Sequence, residues 1–183
     1  MGDRGWLASG VLAGARQISS PNQDSRGDAA VDALVIHCIS LPPGEFAGDA
    51  IEHLFTNALD SAAHPSFEAL RGLRVSSHFL VRRDGHLTQF VPCDRRAWHA
   101  GVSTWAGRAR CNDRSIGVEM EGTVRVPFAE SQYLTLVALV RAIRLRYPVT
   151  DIVAHSDVSH GRKTDPGIHF DWARLRTGLI RAR

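Results

Sequence analysis

The segment "SSHFLVRRDGHLTQFVP", residues 76–92, constrains the fold of this chain more than any other stretch. Two apolar, β-branched runs flank Asp84-Gly85, a dipeptide favoured in two-residue hairpin turns, so the segment predicts a pair of antiparallel strands. Elsewhere strand patterns are mixed with helical ones. A chain with both features is expected to be α/β (mixed), with a single central mixed β-sheet and helices packed on it.

The remaining elements follow from the same local patterns. Strands are predicted in three apolar segments, "ALVIHCIS" (33–40), "SIGVEMEG" (115–122) and "DIVAHSD" (151–157). Helices are predicted in three segments with helical spacing of apolar residues, which are residues 48–65, 131–148 and 171–182. Pro65 and Pro148 are predicted to end the first two helices. Residues 1–30, rich in Gly, Ser, Asp and Asn, are expected to form an irregular lead-in.

Composition limits the class of protein. With 44% apolar and 22% charged residues, the 183 residues suit one globular domain spanning 1–183. The net charge of +3 comes without a basic run or a zinc-finger spacing, so we expect no nucleic-acid partner. No window resembles a membrane span or a secretory signal, and the cysteines at 38, 93 and 111 form no cluster. We therefore expect a cytoplasmic protein without disulfides and without membrane contact. We also expect it to be a monomer.

Residues 155–167, "HSDVSHGRKTDPG", combine groups that bind metals. Catalytic zinc is commonly held by three His, Asp or Glu side chains, with water as the fourth ligand. His155 and Asp165 could supply two of them, and His37, a polar residue within an apolar strand, is the best candidate for the third. The spacing leaves alternatives open: His37 could be a hydrogen-bonded core residue, His169 could replace a ligand, and His78 and His99 are hard to dismiss.

Six blocks in a fixed order resemble a known family. They extend over nearly the whole chain and are "VIHCISLPPGEF" (35–46), "RVSSHFLVRRDG" (74–85), "RAWHAGVS" (96–103), "CNDRSIGVEMEG" (111–122), "HSDVSHGRKTDPG" (155–167) and "FDWARLR" (170–176). Together they are similar to the zinc-dependent N-acetylmuramoyl-L-alanine amidases, and most similar to the cytoplasmic members that act on anhydromuropeptides. The resemblance implies the amidase and peptidoglycan-recognition-protein fold.

The resemblance also implies a catalytic set. Zn²⁺ would be bound by His37, His155 and Asp165. Glu119 would take a proton from the attacking water and pass it to the leaving amine, and Lys163, the only lysine of the chain, would stabilise the oxyanion. Spacing alone does not distinguish Glu119 from Glu121, since the two share one face of a strand.

Substrate contacts are implied by the same comparison. Arg74 and Arg110 would bind carboxylates of the stem peptide, while Trp98 and His99 would line the sugar side of the cleft. Cys38 departs from the family pattern, because close members usually carry asparagine after the first zinc histidine. Strand alternation points residue 38 away from the metal, so we expect at most a modest effect on substrate affinity.

The function implied is hydrolysis of the amide between the muramyl or anhydromuramyl lactyl group and L-alanine in cell-wall muropeptides, as in peptidoglycan recycling. Two alternatives remain at this point. One is a lytic amidase that acts on intact peptidoglycan, and the other is a muropeptide-binding module without catalysis. Retention of all three ligands together with Glu119 and Lys163 argues against the binding module.

Overall fold

A computed structural model describes residues 5–180. Ten strands are present in this range: β1 (Arg16–Gln17), β2 (Gln23–Ser25), β3 (Ala33–Ile39), β4 (Phe79–Val81), β5 (Leu87–Gln89), β6 (Arg95–Ala97), β7 (Thr104–Trp105), β8 (Arg108–Ala109), β9 (Ser115–Glu121) and β10 (Asp151–Ala154). The α-helices in the same range are α1 (Ala50–Phe55), α2 (Glu130–Arg146), α3 (His155–Val158) and α4 (Trp172–Ile180). Short 3₁₀ helices cover Ala8–Gly10, Pro65–Leu70 and Cys111–Asp113.

Six strands form the central sheet, in the order β1-β5-β4-β9-β3-β10. β4 and β5 pair in antiparallel fashion around the turn at Gly85, where φ is +89°, and β1 is parallel to β5. The pairs β4–β9, β9–β3 and β3–β10 are parallel. The mixed sheet and its hairpin are therefore confirmed.

The two faces of the sheet differ in chemistry. On one face, Ile36 and Val118 pack with Leu136 and Val140 of α2 in the largest apolar cluster, which α4 also joins through Leu175. The long amphipathic helix thus covers the sheet as predicted. On the other face, β9 presents only polar side chains and glycine, because Ser115, Gly117, Glu119 and Glu121 alternate with its apolar residues. All four positions are buried, so this face needs partners for its polar groups.

The first helix is shorter than its pattern predicts. The prediction that it continues to Pro65 is wrong, since α1 ends at Phe55. The Thr56 hydroxyl donates to the Glu52 carbonyl (2.8 Å), and Asn57 has φ +61°, a left-handed conformation common just past a helix end. The Asn22 side chain donates to Oδ1 of Asn57 (2.8 Å), so a distant segment holds this end in place.

The lead-in is less irregular than predicted. It contributes β1 to the edge of the central sheet and β2 to a two-stranded ribbon with β6. Arg26 is buried, and its guanidinium donates to backbone carbonyls that include those of Asp113 (2.9 Å) and Ser115 (3.1 Å). The first four residues of the lead-in, and residues 181 and 182 of the predicted last helix, lie outside the described range. Within residues 5–180, no helix is both long and apolar enough to cross a membrane.

Candidate metal centre

His37 lies near the end of β3, on the face opposite α2. Its neighbours Ile36 and Cys38 face the large apolar cluster, and strand alternation turns the imidazole to the polar side. His37 is only 2% exposed. A buried imidazole is costly without polar partners, so its contacts identify its role.

His155 and Asp165 reach the same place from the neighbouring strand. β10 is parallel to β3 and ends at Ala154, so His155 is the first residue of α3 rather than the last of the strand. The Ser156 amide donates to the Asp165 carbonyl (3.0 Å), which ties the returning loop to α3. Gly167 follows with φ +86°, and a Cβ there would lie 2.6 Å from Cβ of Val124. Glycine is therefore required where the loop turns away.

Three ligand atoms converge. Nδ1 of His37 lies 2.9 Å from Nδ1 of His155 and 3.4 Å from Oδ2 of Asp165, and Nδ1 of His155 lies 3.1 Å from the same oxygen. Ligands placed tetrahedrally at zinc bond lengths of about 2.0–2.1 Å are about 3.3–3.4 Å apart. Among residues 5–180 this is the one group of three such side chains close enough to share an ion. The residues fit a divalent metal after shifts of a few tenths of an ångström.

The protonation states suit metal binding. Burial lowers the pKa of His37 to about 4, although the hydrogen bond to Asp165 acts in the opposite direction. Burial alone would raise the pKa of Asp165, but its hydrogen bonds with His155 and His37 hold that pKa well below its usual range. At neutral pH the site therefore offers a neutral imidazole and a carboxylate, the forms that bind cations.

Glu119 stands beside His37 on the adjacent strand. The two residues are register partners in parallel strands, so their side chains leave the same face of the sheet. Glu119 is 7% exposed, and its Oε2 is buried without a hydrogen-bond partner in the described part of the chain. Burial raises the pKa of Glu119 well above its usual range, the charge of Asp165 adds to this rise, and the charge of Lys163 opposes it. A carboxyl group of this kind can exchange a proton near neutral pH.

Glu121 has different surroundings, which separates the two carboxylates that spacing leaves equivalent. Its Oε1 accepts from the Arg82 guanidinium (2.8 Å) and from the Ala47 amide (2.8 Å), and its Oε2 accepts from the Arg83 amide (3.0 Å). Glu121 therefore holds the loop after β3 against the hairpin. The carboxylate with an unused oxygen is Glu119.

Comparison with known proteins shows the family and the fold of the chain. A sequence model of the N-acetylmuramoyl-L-alanine amidase family matches residues 27–168. The 1,6-anhydro-N-acetylmuramyl-L-alanine amidase AmpD of Citrobacter freundii is 50% identical over 177 residues, which cover 95% of this chain and 92% of that protein. A crystal structure of a selenomethionine derivative of AmpD superposes with a TM-score of 0.90 at 49% identity, covering 98% of this chain and 99% of the other.

The chain belongs to the N-acetylmuramoyl-L-alanine amidase family. The fold also matches that of AmiD from E. coli, solved with the substrate anhydro-N-acetylmuramic acid-L-Ala-D-γ-Glu-L-Lys. That match has 31% identity and a TM-score of 0.59, and it covers 83% of this chain and 59% of AmiD. The predictions of an amidase and of its fold are confirmed.

The predicted substrate residues of this amidase differ in how exposed they are. Arg74 is exposed and lines a cavity of about 170 Å³ between α1 and the 3₁₀ helix Pro65–Leu70. Arg110 is exposed and its Nε donates to Asp113 (2.8 Å). Trp98 is half-buried. Contacts from these three residues to a substrate stay predictions.

Cys38 and His99 are less exposed than Arg74 and Arg110. Cys38 is half-buried against the apolar cluster under α2, as strand alternation predicts, and burial raises the pKa of its thiol to about 12. His99 is buried, and its Nδ1 lies 3.0 Å from Nε2 of His37. Its contact with the sugar stays a prediction. Ser115 and Gly117, which surround His99, were not predicted to matter. The sequence feature that could have identified them is their small size at positions that share one strand face with Glu119.

Another buried histidine of the amidase, His78, makes stability depend on pH. Its Nδ1 accepts from the Gly117 amide (3.0 Å). Burial, followed by the charge of Arg26, lowers the pKa of His78 from 6.5 to about 3. The unfolded chain therefore binds one more proton than the folded chain between these values. The resulting stability is complete above pH 6.5 and is lost as the pH falls toward 3.

We expect His78→Gln to weaken this pH dependence. Through this one group, the free energy of unfolding of the parent falls by about 1.4 kcal/mol for each pH unit in the window. Between pH 7 and pH 5, the free energy of unfolding of the variant should therefore fall by about 2 kcal/mol less than that of the parent. Urea unfolding of metal-free protein at both pH values measures the difference. His86→Gln is the matched control, because His86 is exposed. Equal losses in parent and His78→Gln would contradict the prediction.

Proposed function

We propose that this amidase uses Zn²⁺, held by His37, His155 and Asp165, to hydrolyse the amide between the anhydromuramyl lactyl group and L-alanine in soluble muropeptides. The observation that carries the proposal is the convergence of three ligand atoms within 4.8 Å of one another, on the same sheet face as a buried carboxyl group with an unused oxygen. Mixed nitrogen and oxygen ligation suits zinc, although it also accepts neighbouring divalent ions.

Each residue has a role that its surroundings support. Zinc bound here would lower the pKa of water and polarise the scissile carbonyl. Glu119 takes a proton from the attacking water as the new C–O bond forms. It then delivers this proton to the nitrogen of L-alanine as the C–N bond breaks. Its raised pKa suits both transfers. Lys163 is exposed, and its charge acts on His37 and Glu119, so its ammonium group can stabilise the oxyanion.

The substrate class rests on relatives and on charge. AmpD relatives are named for the anhydromuramyl-L-alanine bond, and AmiD was solved with an anhydromuropeptide. The exposed guanidinium groups of Arg74 and Arg110 suit the carboxylates of a stem peptide. Trp98 and Cys38 stay candidates for weaker contacts. The cytoplasmic location and the monomeric state stay predictions.

The alternatives differ in substrate and in chemistry. A lytic amidase would cleave intact peptidoglycan, and a binding module would cleave nothing. A buried carboxyl group with an unpaired oxygen costs stability, commonly on the order of 1–3 kcal/mol. A module that only binds has no need of such a carboxyl group, so the unpaired oxygen of Glu119 supports the interpretation of this protein as an enzyme.

One experiment separates these readings. Purified protein is offered anhydromuropeptide and intact sacculi side by side, and the products are identified by mass spectrometry. We expect free peptides beginning with L-alanine mainly from the soluble fragment. Release mainly from sacculi would favour the lytic enzyme, and binding without release would favour the module.

Removal of metal is expected to abolish the same activity. Dialysis against a chelator should reduce product to background, because without the ion Glu119 would have to deprotonate a water of ordinary pKa and the scissile carbonyl would not be polarised. One equivalent of Zn²⁺ should restore activity, and the metal content of each sample is measured by elemental analysis. Full activity in protein shown to be metal-free would overturn the zinc proposal.

A further inference from the structure

A line of hydrogen bonds runs from His37 away from the metal ligand atoms. Nε2 of His37 lies 3.0 Å from Nδ1 of His99, and Nε2 of His99 lies 3.2 Å from Oγ of Ser115. The Ser115 hydroxyl lies 2.6 Å from the carbonyl oxygen of Cys111. All four residues are buried.

The last partner sets the direction of the whole line. A carbonyl oxygen only accepts, so the Ser115 hydroxyl donates to Cys111 and has its lone pairs free for His99. Nε2–H of His99 then donates to Ser115, which leaves Nδ1 of His99 as an acceptor. Nε2–H of His37 donates to that acceptor, and Nδ1 of His37 keeps its lone pair. That atom is the one that faces His155 and Asp165.

We propose that His99 is a positioning residue that, oriented by Ser115, fixes His37 in the tautomer whose Nδ1 binds the metal. The inference rests on the proposed metal site and adds two residues to it. Metal-bound histidines usually donate their other N–H to a carboxylate, a carbonyl or water. Here the acceptor is a neutral imidazole, which accepts only while its own tautomer is held. Ser115 is therefore also needed to hold His37 in this tautomer.

The second histidine ligand is supported from the same segment. Nε2 of His155 lies 3.4 Å from the carbonyl oxygen of Ala100, the residue after His99. Oδ1 of Asn112 accepts from the amides of His99 (3.2 Å) and Ala100 (2.8 Å), which fixes this segment. Two adjacent residues thus support both imidazoles, one through a side chain and one through the backbone.

Gly117 makes room for the His99 ring. A Cβ at this position of β9 would lie 2.5–2.8 Å from three ring atoms of His99. Real Cβ atoms do not approach heavy atoms so closely, so any larger residue would displace the ring. The absence of a side chain in the middle of a buried strand is explained by this approach.

The test compares two substitutions that both fill the space of the ring. His99→Leu has no acceptor for His37, whereas His99→Gln offers an oxygen toward His37 and an amide donor toward Ser115. Zinc affinity is measured by competition with a chromophoric chelator, after urea unfolding has shown that the metal-free variants fold. We expect His99→Leu to bind zinc about 10–100-fold more weakly and His99→Gln to stay within about threefold of the parent. A role in packing alone predicts the opposite order, because leucine suits a buried site better than glutamine.

Two further variants keep the proposal testable if His99→Leu does not fold. Ser115→Ala removes the group that orients His99, and Gly117→Ala displaces the ring without touching a ligand. Both are expected to weaken zinc binding by about threefold or more and to alter the visible spectrum of the Co²⁺-substituted protein. Parent-like affinity and spectra in the folded variants would overturn the positioning role. Failure of the parent itself to bind zinc would instead overturn the metal site, so the two failures are distinct.

Discussion

Replacing His37 by alanine is expected to lower zinc affinity by a factor on the order of 10²–10³ and to reduce amidase activity to background. Zinc held by four ligands gains about 10–16 kcal/mol in small structural sites, so one lost ligand removes a large share of the binding free energy. The parent should gain thermal stability when zinc is added, because a ligand that binds only the folded state stabilises it. The variant should gain almost none.

Competition with a chelator and thermal unfolding with and without zinc measure this effect. His53→Ala is the matched control, since His53 lies on α1 with 45% of its side chain exposed. A His37→Ala protein that folds, binds zinc as tightly as the parent and cleaves muropeptide would show that the metal, if present, is held elsewhere.

Replacing Glu119 by glutamine is expected to lower kcat by about 10²–10⁴ while zinc binding is preserved. Proton transfer by a placed side chain contributes a factor of this size, and an amide of the same shape cannot take a proton. Glutamine also avoids the cost of a buried carboxylate, so the variant should fold at least as stably as the parent.

Glu121→Gln provides the matched control on the same strand face. Glu121 is 2% exposed and pairs with Arg82, so its substitution should lower the free energy of unfolding, because the partly buried guanidinium keeps only its second ion pair, with Glu52. Steady-state kinetics and zinc competition on both variants separate the roles. If Glu119→Gln turns over like the parent, or if Glu121→Gln loses turnover at parent stability, the assignment of the proton-transfer residue is wrong.

Local patterns were sufficient for most of the architecture. The Asp84-Gly85 turn, the apolar runs of β3 and β9 and the spacing in α2 act over a few residues, and the structure reproduces them. The end of α1 was mispredicted because it depends on a contact with a distant segment. Asn57 ends the helix while its side chain pairs with Asn22, and no pattern within the segment reports a partner 35 residues away.

The sequence by itself determined the fold class, the family and the three ligand candidates, because turn chemistry, periodicity and ordered motifs are all properties of neighbouring residues. Only the tertiary structure decided which carboxylate stays unpaired and where His99 points. Glu119 and Glu121 share a strand face and differ solely in what approaches them, Arg82 from the hairpin in one case and the metal ligands in the other. His99 reaches His37 because Gly117 leaves space on an intervening strand. Such differences are set by contacts between segments that packing brings together.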